Sequence, residues 1–366
     1  MVLNDRAISF KTKYGYKTVS LVPDIKKIYL EVTTRCNFDC TTCIRNSWTD
    51  DIGQMDFTVF EMLLDQIRDL PEIEAIHIGG FGEPMSHPDI LEMVRRIKEA
   101  GLKVEMITNG SFLTDSVIEK LIEMKLDMLF ISLDGPEATL FNTIRKGADF
   151  VNVIDHIKSL NRLKALHHSL KPQLGIEFVL MKSNRHKLEE MVNLITALKA
   201  DQFIVTNVMP YHEDMKDEIV YDLETPLSST KNSGLLSMRA KIPNMKLRTE
   251  RYCNFIENKA ATITWDGNVA PCYALMHRYK CFVYSREKQI IPQYYGNIKE
   301  MTLKDIWMRR EYAMFRANVS DFNFPSCTDC EFLEGCTYTV DNQSDCWANS
   351  PSCADCLWSR RIIQCP

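Results

Sequence analysis

The stretch IYLEVTTRCNFDCTTC (28–43) decides how this chain is read. A short apolar run breaks off into three cysteines with the spacing Cys36-x3-Cys40-x2-Cys43. Apolar runs of this length, bounded by polar residues, read as buried strands. Thiolates at the end of such a strand lie where a parallel sheet gathers its functional loops. Three thiolates can hold three irons of a [4Fe–4S] cluster and leave the fourth iron open to a small ligand, whereas four-cysteine sites occupy all four. Structural zinc is the competing reading. It usually wants four ligands, often paired as Cys-x2-Cys, and this stretch offers neither a fourth cysteine nor a nearby histidine.

Outward from this stretch, short apolar strands alternate with amphipathic helices. Strands are expected at 74–80, 103–108, 127–135, 173–181 and 202–209, with helices at 57–70, 89–100, 116–124, 150–166 and 187–200 between them. That alternation marks parallel βαβ units. Six strands favour an α/β fold with an open or partial (β/α)6 barrel over a closed eightfold one. Polar motifs follow the first four strands: Cys36–Cys43, GGFGEP (79–84), Thr108–Gly110 and Ser132–Gly135. All four belong to the rim at the strands' carboxyl ends. The expected organisation is an N-terminal hairpin (1–26), the barrel (27–209), a polar connector (210–250) and a cysteine-rich domain (251–366).

Composition excludes other classes. A net charge of −5 gives no basic footprint for nucleic acid. No apolar run approaches the eighteen or so residues of a membrane span, and the N-terminus lacks a secretory pattern, so a cytoplasmic protein is expected. In that reducing compartment 13 cysteines argue for metal or redox chemistry over disulfides. They are segregated, three at 36–43 and ten at 253–365.

The cysteine spacing, its place after the first strand and GGFGEP after the second together resemble the radical S-adenosylmethionine (SAM) superfamily, whose core is a partial TIM-like barrel. The resemblance implies that the open iron chelates the amino and carboxylate groups of SAM, and that one electron cleaves SAM to a 5′-deoxyadenosyl radical that abstracts a substrate hydrogen. It also implies that Gly79, Gly80, Gly82 and Glu83 receive the methionine ammonium. Thr108, Asn109 and Ser132 would contact ribose or carboxylate, and Arg145 would pair with the carboxylate. A solvated helix-end arginine is the competing reading of Arg145. The family's aromatic residue before the third cysteine is replaced here by Thr42. His77 reads as a hydrogen-bonded barrel histidine.

In the C-terminal region, Cys253-x13-Gly267-x4-Cys272, with an Asp266-Gly267 hairpin turn, precedes Cys327-x2-Cys330-x5-Cys336. This resembles the SPASM extension of radical SAM maturases, which holds up to two auxiliary [4Fe–4S] clusters. The resemblance assigns Cys253 and Cys272 to a proximal cluster and Cys327, Cys330 and Cys336 to a distal one. Cys346 is expected at the proximal cluster and Cys353 or Cys356 at the distal one. Cys281 is either the missing proximal ligand or a buried thiol. The tail also carries Cys365. Zinc is again the competing reading for the paired cysteines.

SPASM proteins mostly modify peptides or proteins. Sulfatase-maturing members carry an aspartate base after the Gly-x4-Cys cysteine, where this chain has Tyr273. With an ordinary pKa of about 10, tyrosine is a poor base at neutral pH, so formylglycine formation is not expected; Tyr273 is the candidate catalytic residue as a relay of a proton or hydrogen atom, with packing beside the cluster as the competing reading. The 27 residues ahead of the first barrel strand suffice for a hairpin but not for a peptide-docking domain. The first and last cysteine segments resemble maturases associated with tungsten-cofactor aldehyde oxidoreductases. Expected partners are therefore a peptide or protein substrate, a tungsten oxidoreductase among the candidates, and a low-potential electron donor such as ferredoxin or flavodoxin. Two alternatives stand: a radical enzyme acting on a small cofactor precursor, and a non-catalytic iron–sulfur electron carrier.

Overall fold

The structure is a computed structural model that describes residues 2–4, 7–12, 15–221, 239–241 and 252–364. Its centre is a nine-stranded sheet. Six strands come from the alternating region: β1 (Lys27–Glu31), β2 (Ala75–Gly79), β3 (Lys103–Thr108), β4 (Met128–Ser132), β5 (Gln173–Leu180) and β6 (Gln202–Asn207). They lie side by side in chain order, every neighbouring pair parallel. The helices between them are α1 (Phe57–Ile67), α2 (Ile90–Glu99), α3 (Asp115–Glu123), α4 (Ala138–Ile144), α5 (Phe150–Leu166) and α6 (Leu188–Ala197).

Local chemistry places these boundaries. Asp56 caps α1 by accepting from the Thr58 N–H at 2.8 Å, and Asp149 caps α5 through the Val151 N–H at 3.0 Å. Such caps satisfy donors that a helix start otherwise leaves unpaired. In α1, Val59, Phe60, Leu63, Leu64 and Ile67 are buried, one apolar stripe at helical spacing. Strand β2 is buried at every residue, as expected where a parallel sheet is covered on both faces. His77 on β2 is fully buried, with Nδ1 3.4 Å from Glu105 Oε2. Glu105 also takes the Lys27 ammonium at 2.6 Å. The barrel histidine is a hydrogen-bonded one.

Three further strands extend the sheet. β7 (Arg239–Lys241) pairs parallel with β6, in a stretch expected to be connector, most of which lies outside the described residues. At the other edge β8 (Ala260–Ile263) pairs parallel with β1 and antiparallel with β9 (Val269–Ala270). The turn between β8 and β9 contains Gly267 at φ +90°, a conformation glycine adopts without penalty. The cysteine-rich region is thus joined to the barrel by main-chain hydrogen bonds between β8 and β1. Ahead of β1, Val2–Asn4, Ala7–Thr12 and Gly15–Ser20 form a three-stranded antiparallel sheet.

Candidate active site and cluster sites

A cavity of about 270 Å³ opens at the carboxyl ends of β1–β6. Its wall includes Cys36, Cys40 and Cys43 from the loop after β1, and Gly80, Gly82 and Glu83 from the loop after β2. Thr108 and Asn109 (β3), Ser132 (β4), Arg145 after α4, Glu177 (β5), and Thr206 and Asn207 (β6) complete the rim. The carboxyl ends of the strands therefore gather the barrel residues singled out from sequence, with Gly79 just behind the wall at the end of β2.

Glu83 organises the rim. Buried, its carboxylate accepts from Thr108 Oγ1 at 2.6 Å, the Asn109 N–H at 2.6 Å and the Met85 N–H at 3.0 Å. Burial pushes its pKa up, and these donors only partly offset that. Asn109 Nδ2 donates to Asn37 Oδ1 at 2.8 Å and lies 3.9 Å from Cys36 Sγ, so the loop after β3 touches the cysteine loop. Glycine keeps the wall thin. A Cβ on Gly82 would stand 2.2 Å from Thr33 O, and one on Gly79 2.9 Å from the Tyr273 hydroxyl oxygen.

The cysteine loop is fixed from several sides. Cys40 bridges backbone-to-backbone with Arg145. Arg45, which sequence reading passed over although it lies two residues beyond Cys43, points its Nε to Cys43 Sγ at 3.3 Å and donates to Phe38 O at 2.8 Å. Burial raises the thiol pKa values of Cys36 and Cys40, that of Cys40 to about 11. Arg145 is not a solvated helix-end residue. Its guanidinium is nearly buried and meets Asp134 at 2.8 Å.

A buried polar bridge, also unread in the sequence, joins the C-terminal region to this site. His277 Nε2 lies 2.8 Å from Glu31 Oε2, and its Nδ1 lies 3.5 Å from Asp50 Oδ2. Glu31 also accepts from the Phe81 N–H within GGFGEP at 3.2 Å. Burial acts to lower the His277 pKa, but Glu31 and then Asp50 outweigh it and hold the value above the ordinary histidine range. A raised histidine stabilises the fold fully below its unfolded pKa near 6.5, and that stabilisation is lost as pH rises through the folded value. Thermal unfolding of the wild type is therefore expected to become less stable as pH climbs through the histidine range and above. His277→Gln should flatten that dependence; an unchanged profile would show that the bridge is not protonated.

The tail closes one side of the cavity. Asn207 Nδ2 donates to Ile362 O at 2.9 Å, and the Gln364 N–H donates to Thr206 Oγ1 at 2.9 Å. Ile363 and Gln364 line the wall beside Tyr273 and Trp358. No periodicity marks this tail, so sequence alone could not seat it. Cys365 lies outside the described residues.

The C-terminal cysteines interact in two sets. Cys272 feels the charges of Cys253 and Cys356, and Cys353 those of Cys356, Cys272 and Cys253. Cys327 instead feels Cys346 and Cys336. Cys353 and Cys356 therefore lie on the Cys272 side and Cys346 on the Cys327 side. Cys281 is buried in the strand Tyr279–Val283 and lines a cavity with Cys272, Cys353 and Cys356. Burial raises its pKa to about 12. Among the described residues no three His, Cys, Asp or Glu side chains come together closely enough for a single metal ion.

A rim of three thiols, a glycine-thinned wall and a buried carboxylate suit a site-differentiated iron–sulfur cluster with a bound amino acid moiety. Comparison with known proteins agrees. The Radical SAM superfamily profile matches residues 30–224, and the SPASM profile, described as an iron-sulfur cluster-binding domain, matches residues 253–331. The chain belongs to the radical SAM superfamily and is a radical SAM enzyme with a SPASM domain; its cofactors are a SAM-binding [4Fe–4S] cluster, auxiliary cluster chemistry in the SPASM region, and SAM itself.

Among curated relatives, the tungsten-containing aldehyde ferredoxin oxidoreductase cofactor-modifying protein of Pyrococcus furiosus is 38% identical over 350 residues, covering 93% of this chain and 97% of that protein. PqqA peptide cyclase of Rhodopseudomonas palustris is 24% identical, covering 89% of this chain and 86% of that one. Among solved structures, Streptococcus suis SuiB bound to S-adenosylmethionine superposes with a TM-score of 0.62 at 19% identity, covering 86% of this chain and 72% of that one. Native anSMEcpe with bound AdoMet gives 0.59 at 16% identity, covering 92% and 96%. These two likenesses establish the fold. No helix among the described residues is long and apolar enough to cross a membrane.

Proposed function

We propose that this enzyme matures a tungsten-cofactor oxidoreductase, with the cofactor or a precursor of it as the molecule modified. The observation that carries this reading is the 38% identity extending over 97% of the Pyrococcus furiosus cofactor-modifying protein. Modification of a peptide or protein substrate is the second reading, favoured by the resemblance to PqqA peptide cyclase.

In this reading Cys36, Cys40 and Cys43 hold the catalytic cluster. Glu83 with the Gly79–Gly80 main chain receives the SAM ammonium, Arg145 its carboxylate, and Thr108, Asn109 and Ser132 its polar remainder. When bound, cluster and SAM supply a hydrogen-abstracting radical. The protein's part is to orient and to exclude water. Phe38, Ile44, Val179 and Val208 give the cavity apolar walls in place of the missing aromatic at Thr42. Cys253, Cys272, Cys353 and Cys356 hold the proximal auxiliary cluster and Cys327, Cys330, Cys336 and Cys346 the distal one, leaving Cys281 a spare buried thiol. A low-potential donor such as ferredoxin or flavodoxin supplies the electron.

Tyr273 stands between the two halves, its hydroxyl facing Gly79 and its ring edge-on to Tyr29 at 5.2 Å. Tyr273→Phe is expected to lower product formation at least tenfold while SAM cleavage without substrate stays within about twofold, measured as product per 5′-deoxyadenosine. Equal effects on both would assign Tyr273 to packing alone. The reading as a whole is tested by anaerobic incubation of the reconstituted enzyme with SAM, reductant and either the tungsten oxidoreductase or its isolated cofactor. A mass change in the cofactor supports it; a mass change confined to the polypeptide supports the second reading.

A further inference from the structure

Between the two auxiliary cysteine groups lies a buried ionic cluster that nothing above employs. Lys288, on the strand Arg286–Ile290, is almost wholly buried and donates from Nζ to Asp355 Oδ1 at 2.6 Å. Arg286, two residues earlier on the same face of that strand, donates to the other carboxylate oxygen at 3.1 Å and to Thr339 O at 2.7 Å. Asp355 sits inside the Cys353–Cys356 pair. Lys288 and Asp355 both line the cavity walled by Cys272, Cys353 and Cys356. The charges do not balance, since two cations share one carboxylate.

Burying an unmatched cation is costly unless another anion offsets it. A strand exterior of salt-linked surface residues would not need it. On the opposite face of the same strand, exposed Glu287 pairs with Lys280 in the ordinary way. Lys288 also lies within charge-interaction range of Cys327 and of Cys353, one thiol from each auxiliary group. A cluster held by four thiolates is an anion, and each one-electron reduction adds a further negative charge.

We propose that Lys288, positioned by Asp355, is the counter-charge of the auxiliary clusters and sets their reduction potential upward. This rests on the ligand groups given under Proposed function. Lys288 touches neither substrate nor SAM; it is a positioning and tuning residue. Removing its charge disfavours the reduced cluster. Removing the Asp355 charge leaves both cations unopposed and favours the reduced cluster. The two substitutions therefore act with opposite sign, which loss of packing would not produce.

The test is a potentiometric titration followed by electron paramagnetic resonance. Cys36, Cys40 and Cys43 are replaced by alanine in the full-length chain so that only auxiliary signals remain. In this background Lys288→Met is expected to move the auxiliary midpoint negative by about tenfold in the reduction equilibrium, ~59 mV for a one-electron couple. Asp355→Asn should move it positive, and Lys288→Arg should stay near the parent. Unchanged midpoints, or midpoints moving the same way in Met and Asn variants, would overturn the proposal. If Lys288→Met does not load iron, the sign of the Asp355→Asn shift alone decides. Failure of the ligand reading shows differently, as parent protein that retains no auxiliary iron.

Discussion

Alanine at Cys36, Cys40 and Cys43 together should reduce SAM cleavage to the background of a no-enzyme control. The same variant should keep its auxiliary clusters, so that iron falls by about four atoms per chain rather than to zero. The separation follows from the architecture. The three thiols lie on the loop after β1, anchored by Arg45 and the Cys40–Arg145 bridge, while the other described cysteines lie at 253–356, outside that loop. Iron analysis and 5′-deoxyadenosine measurement check both halves. Loss of all iron would mean the two regions do not fold independently of the first cluster.

The second large effect belongs to Glu83. Its carboxylate accepts three protein hydrogen bonds and brings a negative charge to the cavity wall. In Glu83→Gln that charge disappears, and one acceptor becomes an amide that must face either the Asn109 N–H or the Thr108 hydroxyl. A charge-assisted hydrogen bond is worth about 1.5–3 kcal/mol, and each 1.4 kcal/mol is tenfold in affinity. SAM affinity should therefore weaken by about 100-fold, measured by equilibrium binding to the reconstituted enzyme, with the cluster's spectrum retained. Glu83→Asp, too short to reach both β3 donors, should recover only part. Wild-type affinity in Glu83→Gln would remove Glu83 from the SAM site.

The three cysteines and Glu83 are legible in the sequence, because short-range pattern encodes them. Cys36-x3-Cys40-x2-Cys43 and GGFGEP each follow a strand directly, and a parallel sheet carries strand ends to one rim whatever the helices between them do. The six-strand order is legible for the same reason. What sequence left dark is long-range. His277 lies 246 positions from Glu31, its partner, and no local period ties the two. Thr206 and Asn207 fall within the strand expected at 202–209, yet their side chains reach 158 and 155 positions along the chain to seat the tail. The placement of Cys353 and Cys356 beside Cys272 has the same origin. Spacing along an irregular tail fixes neither its path nor its partners. Arg45 is a different case, since an arginine two residues past a metal-binding cysteine was visible and its donor geometry was not.

Such long-range links tie the C-terminal region into the catalytic rim. β8 hydrogen-bonds along β1, His277 reaches beneath GGFGEP, Tyr273 faces Gly79, and Gln364 walls the cavity. The SPASM region therefore shapes the active site as well as carrying its own cysteines.

The most direct measurement is made on the unmodified enzyme. Protein reconstituted anaerobically with iron and sulfide, then given SAM and a strong low-potential reductant, should release 5′-deoxyadenosine and methionine in equal amounts. SAM recovered intact from protein whose first cluster is present and reduced would contradict the account.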